Sequence, residues 1–143
     1  MKIVLLANAV STLFMLGLIW FVQIVHYPLF SRVGGDEFKT YEELHQRLTT
    51  WVVGPAMLIE LVTALMLLKL NSGELQALAW GGVILVVVIW LSTGLLSVPA
   101  HNSLAIEYST AAWQTLVFTN WIRTAAWTLR AILVTILLHR AMS

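Results

Sequence analysis

Apolar residues in this chain gather into four long blocks separated by short polar stretches. The blocks cover about residues 3–25, 48–68, 77–98 and 121–138. Each is close to the ~20 residues that a helix rising 1.5 Å per residue needs to cross ~30 Å of hydrocarbon. The pattern predicts an all-α fold, a four-helix transmembrane bundle that forms a single integral membrane domain over residues 1–143. Four crossings put both termini on one side. The connections between the first and second helices and between the third and fourth then lie on the other side.

Punctuation within the pattern sets the expected helix ends. Pro28 ends the first helix, because the residue before a proline is pushed away from the helical region. Gly34-Gly35 makes a turn. Asp36 or Thr40 caps the second helix, with Thr40-Tyr41-Glu42-Glu43 fitting a capping box. Pro55, after Gly54, kinks the second helix or loosens its hydrogen bonding. Ser97-Val98-Pro99 closes the third, and Ser109 or Thr110 caps the fourth. No internal repeat is visible at a period of 20–50 residues.

Composition agrees with a membrane protein. Apolar residues make up 59% and charged residues 10% of the chain, and the mean hydropathy is +0.86. Soluble domains carry about 25% charged residues. The net charge of +1 gives no basic patch for nucleic acid. With no cysteine, disulfides, thiolate metal sites and thiol redox chemistry are excluded. Lys2 precedes an apolar run too long for a signal peptide's core, so the first block is read as a retained span. Lys2 also flanks that span directly, which places the termini on the cytoplasmic side.

Polar residues inside the spans mark the candidate chemistry. In the fourth helix Asn120, Arg123 and Arg130 fall within roughly 80° of one another at about 100° per residue. A charge at the bilayer centre costs at least ~2.5–3.5 kcal/mol, so such residues face the bundle interior and find partners. Glu60 lies ~18 Å below the interface on the second helix, and Arg130 ~15 Å below Asn120 on the fourth, at 1.5 Å per residue. An intramembrane Glu60–Arg130 pair follows, either fixing helix register or coupling protons. On the first helix Asn8 and His26, five turns apart, share a face, with Gln23 nearby. On the third, Trp90, Gly94 and Ser97 follow helical spacing.

His26, His45 and His101 come from three helices at the membrane face opposite the termini. With Asn120 and Arg123 they form the candidate site, walled also by Gln23. Three imidazoles plus a carboxylate such as Glu42 suit a divalent metal ion, and two facing histidines suit a haem. Neither cofactor is required by the residues, and hydrogen-bonded interfacial histidines are the plainer alternative. Trp121 and Trp127 flank Arg123, where they line a flat aromatic ligand or stack on the guanidinium; most of the seven tryptophans serve as interface anchors.

Three stretches, VQIVHYPLF at 22–30, HQR at 45–47 leading to VVGPAMLIE at 52–60, and VPAHNSL at 98–104 with TNWIRTAAWTLR at 119–130, resemble a group of uncharacterised small bacterial four-helix membrane proteins. More distantly, His26-Tyr27-Pro28, Pro99 to Leu104, and Trp121 with Arg123 resemble elements of the anthrone-oxygenase-like membrane family. Tyr27 is an insertion relative to that pattern, and His101 stands where asparagine is usual. The resemblance implies a bacterial inner membrane and cofactor-independent oxygenation of an activated polycyclic phenol.

The expected function is a membrane oxidoreductase or oxygenase acting on a small apolar or quinone-like molecule that enters from the bilayer. A histidine serves as base, and Arg123 with Asn120 stabilises an oxyanion. The alternative is a small transporter or a non-catalytic membrane subunit.

Overall fold

The computed structural model describes residues 1–142 and contains four long helices: α1 (Lys2–Arg32), α2 (Gly35–Leu70), α3 (Gly73–Ile106) and α4 (Thr110–Met142). All four are long and apolar enough to cross a membrane. The connections are so short that consecutive helices must run antiparallel. Each packs against the next, and α4 closes against α1, making a four-helix bundle.

The core is layered along the bundle axis. Near the termini Leu5, Leu67 and Leu137 pack together. In the middle lie Met15, Ile19, Met57, Ile89, Ala126 and Trp127. At the far end Tyr27, Phe30, Phe38, Ala100, Leu104 and Leu116 form an aromatic plug. Buried polar groups lie between these layers. One set is Asn8, Thr12, Glu60, Thr63 and Arg130; the other includes Gln23, Asn120, Arg123 and Thr124. In α4 the inward stripe Leu116, Asn120, Arg123, Trp127, Arg130, Val134 and Leu137 alternates steps of four and three, the spacing that keeps one face on the bundle.

Two expected helix ends are not ends. Helix α1 passes Pro28 and continues to Arg32, and α3 passes Pro99 and continues to Ile106. In both, a five-residue π-helical segment stands just before the proline: Val22–His26 in α1 and Thr93–Ser97 in α3. The amide of Tyr27 bonds back to Val22, and that of Val98 to Thr93, each five residues earlier. A proline in an α-helix lacks a donor and presses on the carbonyl four residues before it. Those carbonyls belong to Ile24 and Leu95, inside the widened turns. The π turn absorbs the conflict, and the two helices use one device in the same place.

Each π turn acts as a one-residue insertion, so every position beyond it is shifted against a straight-helix count. Tyr27, at 4% exposure, takes the inward position expected of His26, which is only partly buried. In α3 the inward residues are Gly82, Val86, Ile89 and Ser92, then Ser97, Ala100, His101 and Leu104. Trp90 and Gly94 face outward, correcting the expected stripe.

Helix α2 stays α-helical through Gly54-Pro55. It begins at Gly35, without a side-chain cap, so Thr40 lies inside the helix instead of at its start. The side chain of Asp36 lies outside the described ones. The extra turn exists because Phe38 is buried against Phe30 and Tyr108. Ser109 caps α4, its hydroxyl accepting from the amide of Ala112 at 3.4 Å.

Candidate functional site

The deeper polar layer joins all four helices. Glu60 and Arg130 are 2% and 1% exposed. Arg130 Nε donates to Glu60 Oε1 at 2.7 Å, and the Thr12 hydroxyl donates to the same oxygen at 2.7 Å. Trp127 Nε1 donates to Glu60 Oε2 at 3.0 Å. Arg130 Nη1 reaches the carbonyl of Gly82 at 2.7 Å; its Nη2 reaches Asn8 Oδ1 and Thr12 Oγ1, each at 3.3 Å. Asn8 Nδ2 in turn donates to Thr63 Oγ1 at 2.8 Å and the Glu60 carbonyl at 3.2 Å. Gly82 brings the α3 backbone against Arg130: a Cβ there would stand 3.4 Å from Nη1, in ordinary contact. Both oxygens of Glu60 are occupied, as a clasp that holds helix register requires.

The shallower layer is organised around Tyr27. Its carbonyl accepts from Trp113 Nε1 at 2.8 Å, which anchors the turn before Pro28. Arg123 Nη2 lies 3.2 Å from the Tyr27 hydroxyl, and His101 Nε2 lies 2.9 Å from it. His101 Nδ1 lies 2.5 Å from Glu42 Oε1. These contacts assign the protons. Arginine only donates, so Tyr27 accepts from Arg123; with His101 neutral, Tyr27 gives its own proton to Nε2. The other nitrogen, Nδ1, then carries hydrogen and donates to the carboxylate. Gln46 Nε2 donates both to Glu42 Oε1 at 3.2 Å and to the His101 carbonyl at 3.1 Å, holding acid and imidazole together.

Gln23, Asn120 and Arg123 form a second branch. Arg123 Nη2 donates to Asn120 Oδ1 at 2.5 Å, and Asn120 Nδ2 donates to Gln23 Oε1 at 2.8 Å. Gln23 Nε2 donates to the Val117 carbonyl at 3.3 Å. Asn120 therefore orients Arg123 through its Oδ1 and uses one of its two amide hydrogens on Gln23.

The three histidines are gathered at the expected end of the bundle. His26 and His45 ring centres are 4.7 Å apart, and those of His45 and His101 5.2 Å. Phe30, fully buried, meets all three edge-on. They are not a ligand set. Among the described residues no group of three or more His, Asp or Glu is arranged to hold a metal ion. Both nitrogens of His101 are already engaged. His26 Nε2 and His45 Nδ1 hydrogen-bond to each other at 2.9 Å. A haem iron between them would need those atoms about 4 Å apart, twice a metal–nitrogen bond of ~2.0–2.1 Å. The residues fit neither group.

A groove of about 240 Å³ opens on the outer face between α1 and α2, lined by Leu18, Phe21, Val22, His26, His45 and Thr49 among others. Behind it lies an inner cavity of about 70 Å³, whose wall includes Tyr27, Arg123, Trp127, Thr93 and Met57. Leu18, Val22 and Thr49 belong to both. Arg123 is 7% exposed, and its Nε has no hydrogen-bond partner. The ion pairs among the described residues do not include it.

Trp127 reaches the cavity from the core, while Trp121 is exposed and stacks edge-on with Trp20 at 5.8 Å, away from the pocket. Sequence reasoning passed over Tyr27, and took Glu42 only as a metal ligand. Pro28 and Pro99, each followed by further residues with helical character, were the available sign that the helix count needed correction. Comparison with protein-family models, curated proteins and solved structures finds no match for this chain.

Proposed function

We propose that this chain is an integral membrane enzyme of the bacterial inner membrane. It takes a small flat apolar molecule with an oxygen substituent, a phenol or quinone in chemical class, from the bilayer through the α1–α2 groove. The reaction class is that of an oxidoreductase or oxygenase on such a ring. The observation that carries this reading is Arg123. A buried guanidinium without an adjacent carboxylate is costly to keep; its Nε has no hydrogen-bond partner, the residue lines the inner cavity, and a ligand oxygen there would gain a charge-assisted hydrogen bond. The outer groove takes the ring, and the smaller cavity takes the oxygen. His26 and His45 flank the ring's path.

The test is thermal unfolding of the detergent-solubilised protein with 1-naphthol or naphthalene. A ligand bound only by the folded state stabilises it, by about 2.7 kcal/mol at a hundredfold excess over Kd. 1-Naphthol is expected to raise Tm and naphthalene to leave it unchanged. Val52 also lines the outer groove, and Val52→Trp, designed to fill it, is expected to abolish the rise. Equal shifts from both compounds, or a shift that survives Val52→Trp, would sink the reading.

A further inference from the structure

We infer that Tyr27 is the group that exchanges a proton with the bound molecule, and that Tyr27, His101 and Glu42 act together as a relay that turns a bound phenol into a phenolate. This rests on the reading of the pocket given above and adds the chemical state of its occupant.

Two unsatisfied atoms at opposite ends of one hydrogen-bonded chain carry the argument. At one end Arg123, which lines the inner cavity, has an Nε without a partner; at the other end Glu42 Oε2 has none. Glu42 is fully buried, and a buried acceptor without a donor costs about 1–3 kcal/mol, more when charged. The bonds between them run Arg123 to Tyr27 to His101 to Glu42, in the directions that a neutral His101 gives them. The resting chain has its positive charge at the cavity and its negative charge beyond the imidazole, each short of a partner. Moving one proton from the cavity to His101 gives each of these two charges a counter-charge. Arg123 then faces an anion, and Glu42 faces an imidazolium.

The step balances without any co-reactant. The phenol O–H breaks as its proton passes to the Tyr27 oxygen, and the tyrosine's original proton passes to His101 Nε2. The electron pair of the broken bond stays on the phenol oxygen, beside Arg123. Tyr27 ends as it began, a neutral hydroxyl. The charged groups along this chain are Glu42 from α2, bonded to His101 Nδ1, and Arg123 from α4, one residue further away past Tyr27. His45 and His26, the remaining titratable neighbours, must stay neutral, since a second charge at a ring 5.2 Å from His101 would oppose it. Deprotonation makes a phenolic ring electron-rich, which is the preparation a later oxidation of that ring needs. Tyr27 is thus the catalytic residue; His101 and Glu42 act through it as positioning and proton-accepting groups.

The probe is 4-nitrophenol, whose phenolate absorbs in the visible and whose neutral form does not. Spectra of the probe with wild-type protein in detergent are taken one pH unit below the probe's own pKa, with bound probe quantified by equilibrium dialysis. The bound probe is expected as phenolate. Tyr27→Phe, His101→Gln and Glu42→Gln are each expected to return it toward the neutral form, by about tenfold or more in the phenolate-to-phenol ratio, one pKa unit being a factor of ten. Far-UV circular dichroism confirms that each variant is folded. If the wild-type protein binds nitrophenol as the neutral phenol, the relay is wrong while the pocket stands. If the bound phenolate persists in a folded Tyr27→Phe variant, Tyr27 is not the proton-exchanging group. If dialysis finds no bound probe, the pocket reading falls and the relay with it.

Discussion

Replacing Arg130 with methionine is expected to destabilise the bundle by about 3–5 kcal/mol, the range for removing one partner of a buried ion pair. Methionine leaves Glu60 without its cation, and the acid is 2% exposed with only Thr12 and Trp127 still donating to it. The Gly82 carbonyl and Asn8 Oδ1 lose donors as well. Glu60→Gln falls in the same direction, because the guanidinium is then left without an anion. Replacing both residues with methionine is expected to recover much of the loss, since an apolar pair needs no compensation. Unfolding of wild type, Arg130→Met, Glu60→Met and the double variant by SDS titration in mixed micelles measures the cycle, with Glu60→Gln beside it. If either single variant unfolded like wild type, the clasp would not hold the helices as described.

This clasp was legible in the sequence because everything that places it is regular. Glu60 and Arg130 sit on helices that run α-helically through the site, so counting 1.5 Å per residue brings them to one depth, and the structure sets them 2.7 Å apart. The four spans were legible for the same reason, although the helices extend past the predicted apolar blocks. Thr110–Met142 begins well before residue 121 because Leu116 packs into the aromatic end layer. The shallow site was legible only in part. Its location and the gathering of His26, His45 and His101 could be read from helix ends and chain direction. The identity of the inward residue could not, because a π turn changes helical phase by one residue and no propensity scale marks where it falls. Counting on from Asn8 therefore pointed to His26, and the structure turned Tyr27 inward instead. Proton assignments were beyond reach for a further reason: they depend on which donor faces which acceptor across three helices.

Arg123→Met is expected to behave unlike Arg130→Met, although both replace a buried arginine on the same face of α4. Arg123 has no carboxylate partner among the described ion pairs, so its removal strands no anion. Two bonds from Nη2 are lost, to Tyr27 and Asn120. Against that loss stands relief from burying a guanidinium with an empty Nε. The net change in stability is expected to stay within about 1–2 kcal/mol, the scale of ordinary hydrogen bonds. Binding is a different matter. A hydrogen bond to a charged group contributes about 1.5–3 kcal/mol, so affinity for 1-naphthol should fall roughly 10- to 100-fold. Arg123→Lys keeps the charge but not the planar fork, and should lie between wild type and Met. Unfolding titrations and ligand-dependent Tm shifts on the same preparations give both quantities. A variant destabilised as severely as Arg130→Met, with unchanged affinity for 1-naphthol, would make Arg123 a second clasp and leave the cavity without its ligand-binding cation. The opposite pattern separates the two arginines by purpose: the deeper one holds α4 in place, and the shallower one, kept charged without an adjacent anion, holds a place for a ligand's oxygen.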